Sequence, residues 1–488
     1  MNQFLRIERP FCRSAWKLSL VVALAALLSA CANLAAQDAT LPATTVPAAW
    51  SLPTGPAGQP ATALGQWWQR FNDPQLTLLV NQALQANTDG RSAQAALQQS
   101  RALRDVRLAG TGPSARGSAS AQASQLGRDD ASNSFQLGFD ASWEPDVFGV
   151  NRGALSAAQA DAAAAQTSLG NVQVSIAAEV AVTYIELRGL QGRLAIARTN
   201  LAAQQETLQI TRWRAQAGLV SSLDVEQGVA ATEQTRAQIP SLQTNLAQAL
   251  SRLAVLTGQA PGALRELLNA YPTAAATPVS TVPQAPDDLA LALPAETLRQ
   301  RPDVRAAEHR IGAALARVSQ ADAARYPSFN LGGSLGLRAL TLGGLANGAS
   351  VASALLASVS VPLFDGGAAR AQVRVQASAL EQARVSYQAT VLTALKDVED
   401  ALVSLQGNRE RLTRLQAAAA AAANADLLAR QRYASGLIDF RSVLETQRTL
   451  LSTQDDVDST RASLSSDHVR LYKALGGGWE PGFESATP

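Results

Sequence analysis

Cysteine, histidine, aromatic residues and charge are all scarce in this chain of 488 residues. Its 41 basic and 39 acidic side chains nearly cancel, to a net charge of +2. Nucleic-acid binding therefore has no electrostatic basis, because it depends on a field of positive charge. Cys12 and Cys31 lie near the N-terminus, and His309 and His468 are far apart with no ligand at metal spacing. We expect no metal, no cofactor and no enzymatic activity.

The sequence also lacks an apolar run long enough to cross a bilayer as a helix. Its N-terminal run, Leu18–Leu28, has 11 residues, where about twenty are needed. Arg6, Arg9, Arg13 and Lys17 precede it and small residues follow. This pattern predicts a secretory signal peptide over residues 1–30.

The sequence Leu28-Ser29-Ala30-Cys31 resembles the bacterial lipobox. In that motif the cysteine becomes the first mature residue and is lipidated, so we expect a covalent lipid on Cys31. A plain signal peptide with an incidental cysteine is the alternative. Ala32 stands where an Asp would retain the chain in the inner membrane, which favours the outer membrane.

The chain contains two copies of one unit. A shift of about 218 residues aligns GLVSSLDV (218–225) with GLIDFRSV (436–443), and RLAVLTGQ (252–259) with RLYKALGG (470–477). The segment between the copies is rich in Pro, Ala and Thr and is typical of a linker. The predicted divisions after the signal peptide are a lipidated extended segment (31–70), a first repeat (71–270), a linker (271–294), a second repeat (295–478) and a tail (479–488).

The sequence of each copy predicts a helix, two strands, a very long helix, a turn and a return helix, in that order. Residues 75–108 are compatible with one helix, and Phe135, Leu137, Phe139 and Trp143 alternate with polar or small residues as in a strand. Strands of about 10 to 14 residues can cross a membrane when tilted. The predicted ranges are strands at about 113–144 and 327–364, and helical hairpins at about 153–258 and 367–475.

The long helices of both copies end at a glycine. Residues 153–216 and 367–434 contain no proline and would each extend about 100 Å at 1.5 Å per residue. Gly218 and Gly436 are placed as C-caps at the hairpin turns, so each return helix packs antiparallel to the long helix.

Four membrane-length strands cannot close a barrel, since the smallest stable barrels have about eight. Two, three or four chains would together supply about 8, 12 or 16 strands. The sequence alone does not choose among them. An eight-stranded barrel has a filled interior, so a conducting tube favours three chains or more.

Several sequence segments together are typical of one family: WWQRFNDPQL (67–76), RPDVRAAE (301–308), YPSFNLGGSLG (326–336), VPLFDGGAAR (361–370), RYASGLIDFRSVLETQRTL (432–450) and LYKALGGGW (471–479). Through these segments the chain resembles the TolC-like outer-membrane efflux proteins, in the lipidated branch that serves tripartite drug-efflux pumps. The resemblance implies an α+β membrane protein and a homotrimer. It also implies a twelve-stranded outer-membrane barrel, a periplasmic tunnel of helical hairpins, and docking onto an adaptor protein and an inner-membrane RND-type pump.

The family closes its periplasmic tip near the turn of the second repeat, and the resemblance places that constriction at Glu445. Arg441 stands where relatives usually have an aliphatic constriction residue. Arg441 and Glu445 are four residues apart and share one helical face. They therefore form either a solvated surface ion pair or a gate that is held by their opposite charges. Asp439 and Tyr433 are predicted to hold the hairpin tips together by hydrogen bonds. Ser221 and Asp224, near the other tip, are predicted to dock the adaptor or cap a helix.

The predicted function is a passive outer-membrane duct for small molecules that extends into the periplasm. One alternative is the outer-membrane duct of a type I protein secretion system. Another is a periplasmic adaptor or scaffold lipoprotein without a pore, although adaptors have one hairpin and this chain has two.

Overall fold

The computed structural model describes residues 41–42, 45–50, 64–125, 127, 132–269, 282–286 and 294–479. The predicted signal peptide, Cys31 and most of the predicted linker and tail lie outside these residues. The helices are α1 (Pro74–Ala86), α2 (Thr88–Ala109), α3 (Val150–Gln216), α4 (Ser222–Leu256), α5 (Arg265–Asn269), α6 (Pro294–Gln300), α7 (Pro302–Ala323), α8 (Ala368–Ala434) and α9 (Phe440–Ala474). The strands are β1 (Ser114–Ser124), β2 (Ser132–Trp143), β3 (Ser328–Ala339) and β4 (Val351–Ser360). No helix in this part of the chain is both long and apolar enough to cross a bilayer.

The four strands form one antiparallel sheet in the order β1-β2-β3-β4. Its register aligns Leu137 with Leu337 and Phe139 with Leu335, so the apolar residues share one face. Gln136 and Asp140 lie on the other face, opposite Arg338 and Ser334. The apolar face is exposed, as Phe139 at 70% and Leu355 at 89% show. Within the described chain β1 and β4 each have one neighbouring strand, which leaves two open edges.

Strand β4 ends earlier than the sequence predicts. The prediction that it continues to residue 364 is wrong, because the strand stops at Ser360. Pro362 has no amide hydrogen to donate to a strand ladder. Asp365 then accepts hydrogen bonds from the amides of Gly367 and Ala369, both at 2.8 Å, and so initiates α8.

Two helical hairpins of matching length follow the two strand pairs. Helices α3 and α8 have 67 residues each, and α4 and α9 have 35 residues each. Both long helices follow a glycine with positive φ, Gly149 at 93° and Gly367 at 90°. An Asp caps the start of each long helix. At α3, Asp146 accepts from the amides of Gly149 and Arg152. At α8, Asp365 accepts from the amides of Gly367 and Ala369.

The residues predicted as one helix at 75–108 form two helices, α1 and α2. The chain breaks at Asn87, which has an extended ψ of 136°. Its Oδ1 accepts from the amides of Asp89 and Gly90 and caps α2, while its Nδ2 donates to the carbonyl of Leu256 at 2.9 Å. The break was not predicted because Asn87 binds a residue far away in the sequence.

The main hydrophobic core lies where α1, α3, α4 and α9 meet. Trp67 stacks on Tyr472 with ring centroids 5.2 Å apart, and Phe71 packs edge-on to both. Tyr184 of α3 donates to Asp73 at 2.9 Å and accepts from Arg188 at 3.0 Å. Burial, the largest cause, raises the pKa of Tyr184. The phenol therefore stays neutral and acts as a hydrogen-bond bridge between α1 and α3.

Helices α3 and α9 approach closely where α3 has glycines. A Cβ added to Gly189 would lie 3.0 Å from Cβ of Ala462, and one added to Gly192 would lie 2.1 Å from Oδ2 of Asp458. Asp458 is buried, so its carboxylate has little room to move. The absence of a side chain at Gly192 is therefore required for the α3–α9 contact.

We expect Gly192→Ala to destabilise the protein by about 1–3 kcal/mol, because its methyl group would displace Asp458. Thermal unfolding of the purified protein measures the effect. Gly407→Ala on α8 is the matched control, since nothing lies within 4 Å of a Cβ there. That change should leave stability equal or raise it by about 0.5–1 kcal/mol. Equal melting temperatures for both variants would contradict the close contact.

Candidate functional site at the hairpin tips

The two hairpin turns have the same backbone geometry. Gly218 has φ 74° and Gly436 has φ 75°, a conformation that favours glycine. The amide of Leu219 donates to the carbonyl of Arg214 at 2.8 Å, and that of Leu437 donates to Arg432 at 2.9 Å. These bonds close the last turn of each long helix. Each glycine lies one residue after the C-cap of its long helix, which is Ala217 in α3 and Ser435 in α8.

The return helices begin with side-chain caps. The hydroxyl of Ser221 accepts from the amide of Asp224, and the carboxylate of Asp224 accepts from the amide of Ser221, which forms a capping box. Oδ1 of Asp439 accepts from the amide of Ser442 at 2.9 Å and from its hydroxyl at 2.6 Å. The Ser442 donors lower the pKa of Asp439. These bonds of Asp439 stay within its own helix and do not join the tips.

Tyr433 does form a hydrogen bond between the two hairpins. Its hydroxyl lies 3.1 Å from Oγ1 of Thr211 in α3. Thr211 already donates to the carbonyl of Thr207, so Tyr433 is the donor. The guanidinium of Arg214 lies over the Tyr433 ring at 4.4 Å and donates to the carbonyl of Ala434. Tyr433 is buried, which protects these contacts from water.

Arg441 and Glu445 lie on the exposed face of the first turns of α9. Phe440, Val443 and Leu444 of the same turns are buried against the hairpins. No ion pair joins Arg441 to Glu445 among the residues that the structure describes. Both charges are therefore available to solvent or to a neighbouring chain.

Sequence reasoning missed a polar ladder that joins α3 to α9 above the tips. Nε2 of Gln447 donates to Oγ1 of Thr207 at 3.0 Å, and Nδ2 of Asn200 donates to Oε1 of Gln454 at 2.9 Å. Arg193 forms two hydrogen bonds with Asp455, at 2.6 and 3.0 Å. A signal exists in the sequence: residues 193, 200 and 207 recur every seven residues, the spacing of a coiled-coil seam.

Comparison with known proteins identifies the family. The family model for outer membrane efflux proteins matches residues 79–259 and 293–477. The chain is 30% identical to a probable efflux pump outer membrane protein, SepC, of Pseudomonas putida, over 94% of this chain and 97% of SepC. It is 31% identical to outer membrane protein OprJ of Pseudomonas aeruginosa, over 90% and 92% of the two chains. The solved structure of the outer-membrane channel OprN superposes with a TM-score of 0.81 at 34% identity, over 91% of this chain and all of OprN.

The chain belongs to the outer membrane efflux protein family. Membership places it in the outer membrane, among efflux channels and not among enzymes. Gly332–Gly336 has the G-x-S-x-G pattern of a hydrolase nucleophile elbow, but it lies inside β3 and not at a strand-to-helix turn. No group of three or more metal-ligating side chains occurs among the described residues of this efflux protein.

We expect Tyr433→Phe to weaken the tip contact of this efflux protein, because it removes one hydrogen bond and retains the ring contacts. The expected loss is about 0.5–1.5 kcal/mol. A double-mutant cycle with Thr211→Ala, followed by thermal unfolding, measures the coupling between the two side chains. The control cycle uses Thr413→Ala, an exposed threonine of α8 whose hydroxyl donates to the Arg409 carbonyl in its own helix. A coupling near zero for Tyr433 and Thr211 would contradict the tip contact.

Proposed function

We propose that the protein is the outer-membrane duct of a tripartite efflux pump, through which small molecules pass without chemical change. The observation that carries this proposal is the combination of one exposed apolar sheet with two hairpins about 100 Å long. The efflux family model also matches both halves of the chain. The sheet has the length and the exposed apolar face that a transmembrane β-barrel needs. The hairpins have the length to line a periplasmic tunnel.

We propose that three chains share one barrel. The open edges at β1 and β4 leave backbone donors and acceptors that lipid cannot satisfy, so each edge requires a neighbouring chain. Three chains contribute about twelve strands, which is wide enough for a water-filled interior. The trimer number comes from the resemblance to the family.

We propose that the chain arose as two copies of one unit. Equal helix lengths, the same turn geometry at Gly218 and Gly436, and the double match to the family model support this. The two copies would give the trimer six helical hairpins of similar length around one axis.

The matched relatives favour small molecules over secreted proteins as the cargo. SepC is named as a component of an efflux pump, and we infer a corresponding adaptor and inner-membrane pump as partners of this chain. A type I secretion duct is the second candidate, since the fold would serve either. The pump selects the exported compounds, because a wide duct makes few contacts with its cargo.

We propose that Arg441 and Glu445 line the periplasmic constriction. Both are exposed on one face of α9, and a trimer would place three copies of each around the axis. In that arrangement Arg441 offsets the cation preference that a ring of Glu445 alone would confer.

Single-channel conductance in planar bilayers tests the duct and the constriction. Glu445→Ala should raise the conductance and lower the preference for cations, while Arg441→Leu should raise that preference, each on the order of twofold. Glu233→Ala is the control, because Glu233 is an exposed acid on α4 paired with Arg236. Unchanged conductance in both tip variants would contradict the proposal that Arg441 and Glu445 line the constriction. If no variant conducts although it is folded and inserted in the bilayer, the proposal that the protein is a duct is wrong.

We propose that Cys31 carries the covalent lipid that anchors the mature chain in the outer membrane. The lipobox-like sequence Leu28-Ser29-Ala30-Cys31 after a short apolar run supports the proposal. Mass spectrometry of the membrane-extracted protein should find an N-terminal peptide that begins at Cys31 and carries acyl chains, and Cys31→Ser should lose them. An unmodified Cys31 in the parent would contradict the proposal.

A further inference from the structure

Four helices next to the sheet form a row in the same order as the strands. Helix α2 packs on α3, α3 packs on α7, and α7 packs on α8, while the sheet runs β1-β2-β3-β4. Because α2 leads into β1 and α8 follows β4, the two ends of this helix row lie at the two open edges of the sheet. Each side of the chain therefore offers one strand and one helix to a neighbour.

Exposed apolar side chains occur at both ends of the helix row. Leu97 is the single buried residue that the structure records in α2, whereas nine residues are buried in α7, which has the same length and also precedes a strand pair. Leu103 and Val106 of α2 are 56% and 65% exposed, and Val375 of α8 is 57% exposed. Exposed apolar side chains at both ends indicate surfaces for contact with another protein chain.

The contact between the two halves of the chain shows how such ends can meet. The side of the first half that is formed by β2 and α3 contacts the side of the second half that is formed by β3 and α7. The elements left open are β4 and α8 in the second half and β1 and α2 in the first half. These are the corresponding elements, so one chain can make the same contact with the next chain.

We propose that neighbouring chains of this protein join through β4 and α8 on one chain and β1 and α2 on the next, in the register that β2–β3 and α3–α7 have within one chain. The inference rests on the proposed function, in which a neighbouring chain covers each open edge and the two halves are copies of one unit. It goes further because it fixes which residues meet, and it holds for any number of chains around the barrel.

The two strand pairs set the correspondence between the halves. Ser114 pairs with Ser142 at the end of the first strand pair that lies next to the helices. Ser328 pairs with Ser360 at the same end of the second strand pair. Ser114 of β1 therefore corresponds to Ser328 of β3, and Ser142 of β2 corresponds to Ser360 of β4.

This correspondence gives the strand register between two chains. Within the chain, Ala141 of β2 pairs with Gly333 of β3. Val359 of β4 stands at the position of Ala141, and Ala119 of β1 stands at the position of Gly333. Val359 of one chain therefore lies opposite Ala119 of the next chain.

The side chains that this register brings together are complementary in size. The apolar face of β4 carries Val359 and Leu355, which are 64% and 89% exposed. The same face of β1 carries alanine at positions 119, 121 and 123. By the same register Leu355 lies opposite Ala123. In both pairs a large side chain of one strand covers a small one of the other, a cross-strand contact that stabilises a sheet.

The helix register follows from equal helix lengths. Helices α2 and α7 have 22 residues each, and α3 and α8 have 67 each, so their residues correspond one to one. Within the chain, a Cβ built on Gly153 of α3 would lie 3.1 Å from Cβ of Gln320 in α7. Ala371 of α8 and Val106 of α2 occupy those positions. Val106 therefore gains an apolar neighbour, and the methyl group of Ala371 sets the two helices slightly farther apart than α3 and α7.

Leu103 lies on the same face of α2. Its equivalent in α7 is Arg317, which forms an ion pair with Asp161 of α3. Ala379 of α8 stands at the position of Asp161. The contact between chains is thus apolar where the contact within the chain is charged, in keeping with the depletion of charged residues from the core of protein interfaces.

Disulfide cross-linking of the full-length protein in its membrane tests the strand register. Opposite residues of antiparallel strands lie about 4.5 to 5.5 Å apart, which is within reach of a disulfide. Val359→Cys combined with Ala119→Cys should therefore give covalent oligomers on oxidation, and so should Leu355→Cys combined with Ala123→Cys. Strands β1 and β4 of one chain are about 14 Å apart, so these disulfides can form only between chains.

Val359→Cys combined with Ala123→Cys is the matched control, because it moves one cysteine about 13 Å along β1. This pair should give no covalent oligomer, although each of its cysteines reacts in an opposed pair. Oligomers from the control pair, or the absence of oligomers from an opposed pair, would overturn the strand register.

The same oxidation tests the helix contact. Val106→Cys combined with Ala371→Cys should give covalent oligomers, because the two Cβ atoms lie near the separation of about 3.5 to 4.5 Å that a disulfide needs. Val106→Cys combined with Ala379→Cys is the control, since position 379 lies about 12 Å farther along α8. Oligomers from this control, or none from the first pair, would overturn the contact between α8 and α2.

Bilayer conductance of the parent separates this inference from the proposed duct. Cross-links at the opposed pairs of a protein that does not conduct would support the interface and refute the duct. A conducting protein that forms cross-links only at the control pairs would support the duct and refute the register.

Discussion

The close contact between α3 and α9 is the constraint on which the arrangement of the two hairpins depends. Gly189 and Gly192 let the helix axes approach, and the Thr207–Gln447 and Asn200–Gln454 bonds then fix the register. Without the glycines the polar side chains could not reach one another. Because the first turns of α9 carry Arg441 and Glu445, this contact also sets where those exposed charges lie.

The sheet imposes a second constraint that agrees with the first. Strands β2 and β3 pair directly, so the two units that they introduce start side by side, and α3 and α8 leave the sheet through the same Asp-capped, glycine-preceded turn. Aromatic residues pack at this junction, where Phe148 stacks on Tyr326 with ring centroids 5.0 Å apart. The junction thus joins the apolar sheet to the polar hairpins with a defined geometry.

Local patterns predict most of the fold. The alternation around Phe139 predicts a strand, and the long proline-free stretches predict helices. Gly218 and Gly436 predict where those helices end. Each of these signals depends only on residues that are adjacent in the sequence. The break at Asn87 and the early end of β4 are different. Asn87 depends on the Leu256 carbonyl, a partner that is distant in sequence. The end of β4 did have a local signal, Pro362 followed by the Asp365 cap, but the apolar alternation that continues through Leu363 pointed to a longer strand. The candidate site divides in the same way, since Asp439 could be recognised as a helix cap but the Tyr433–Thr211 pair requires the fold.

Polar residues inside the helix seams show that this protein is not built for greatest stability. A leucine such as Leu208 buries its side chain without any hydrogen-bond requirement, whereas Gln447 and Asp426 each bury oxygens that accept no hydrogen bond within the described chain. An apolar seam tolerates sliding by a turn, because leucine and alanine contacts are similar in every register. A seam with a few polar pairs has one preferred register, because a shift would leave the buried polar groups without partners. The seam between α3 and α9 is of the second kind, because the Thr207–Gln447 and Asn200–Gln454 pairs can form in one register only.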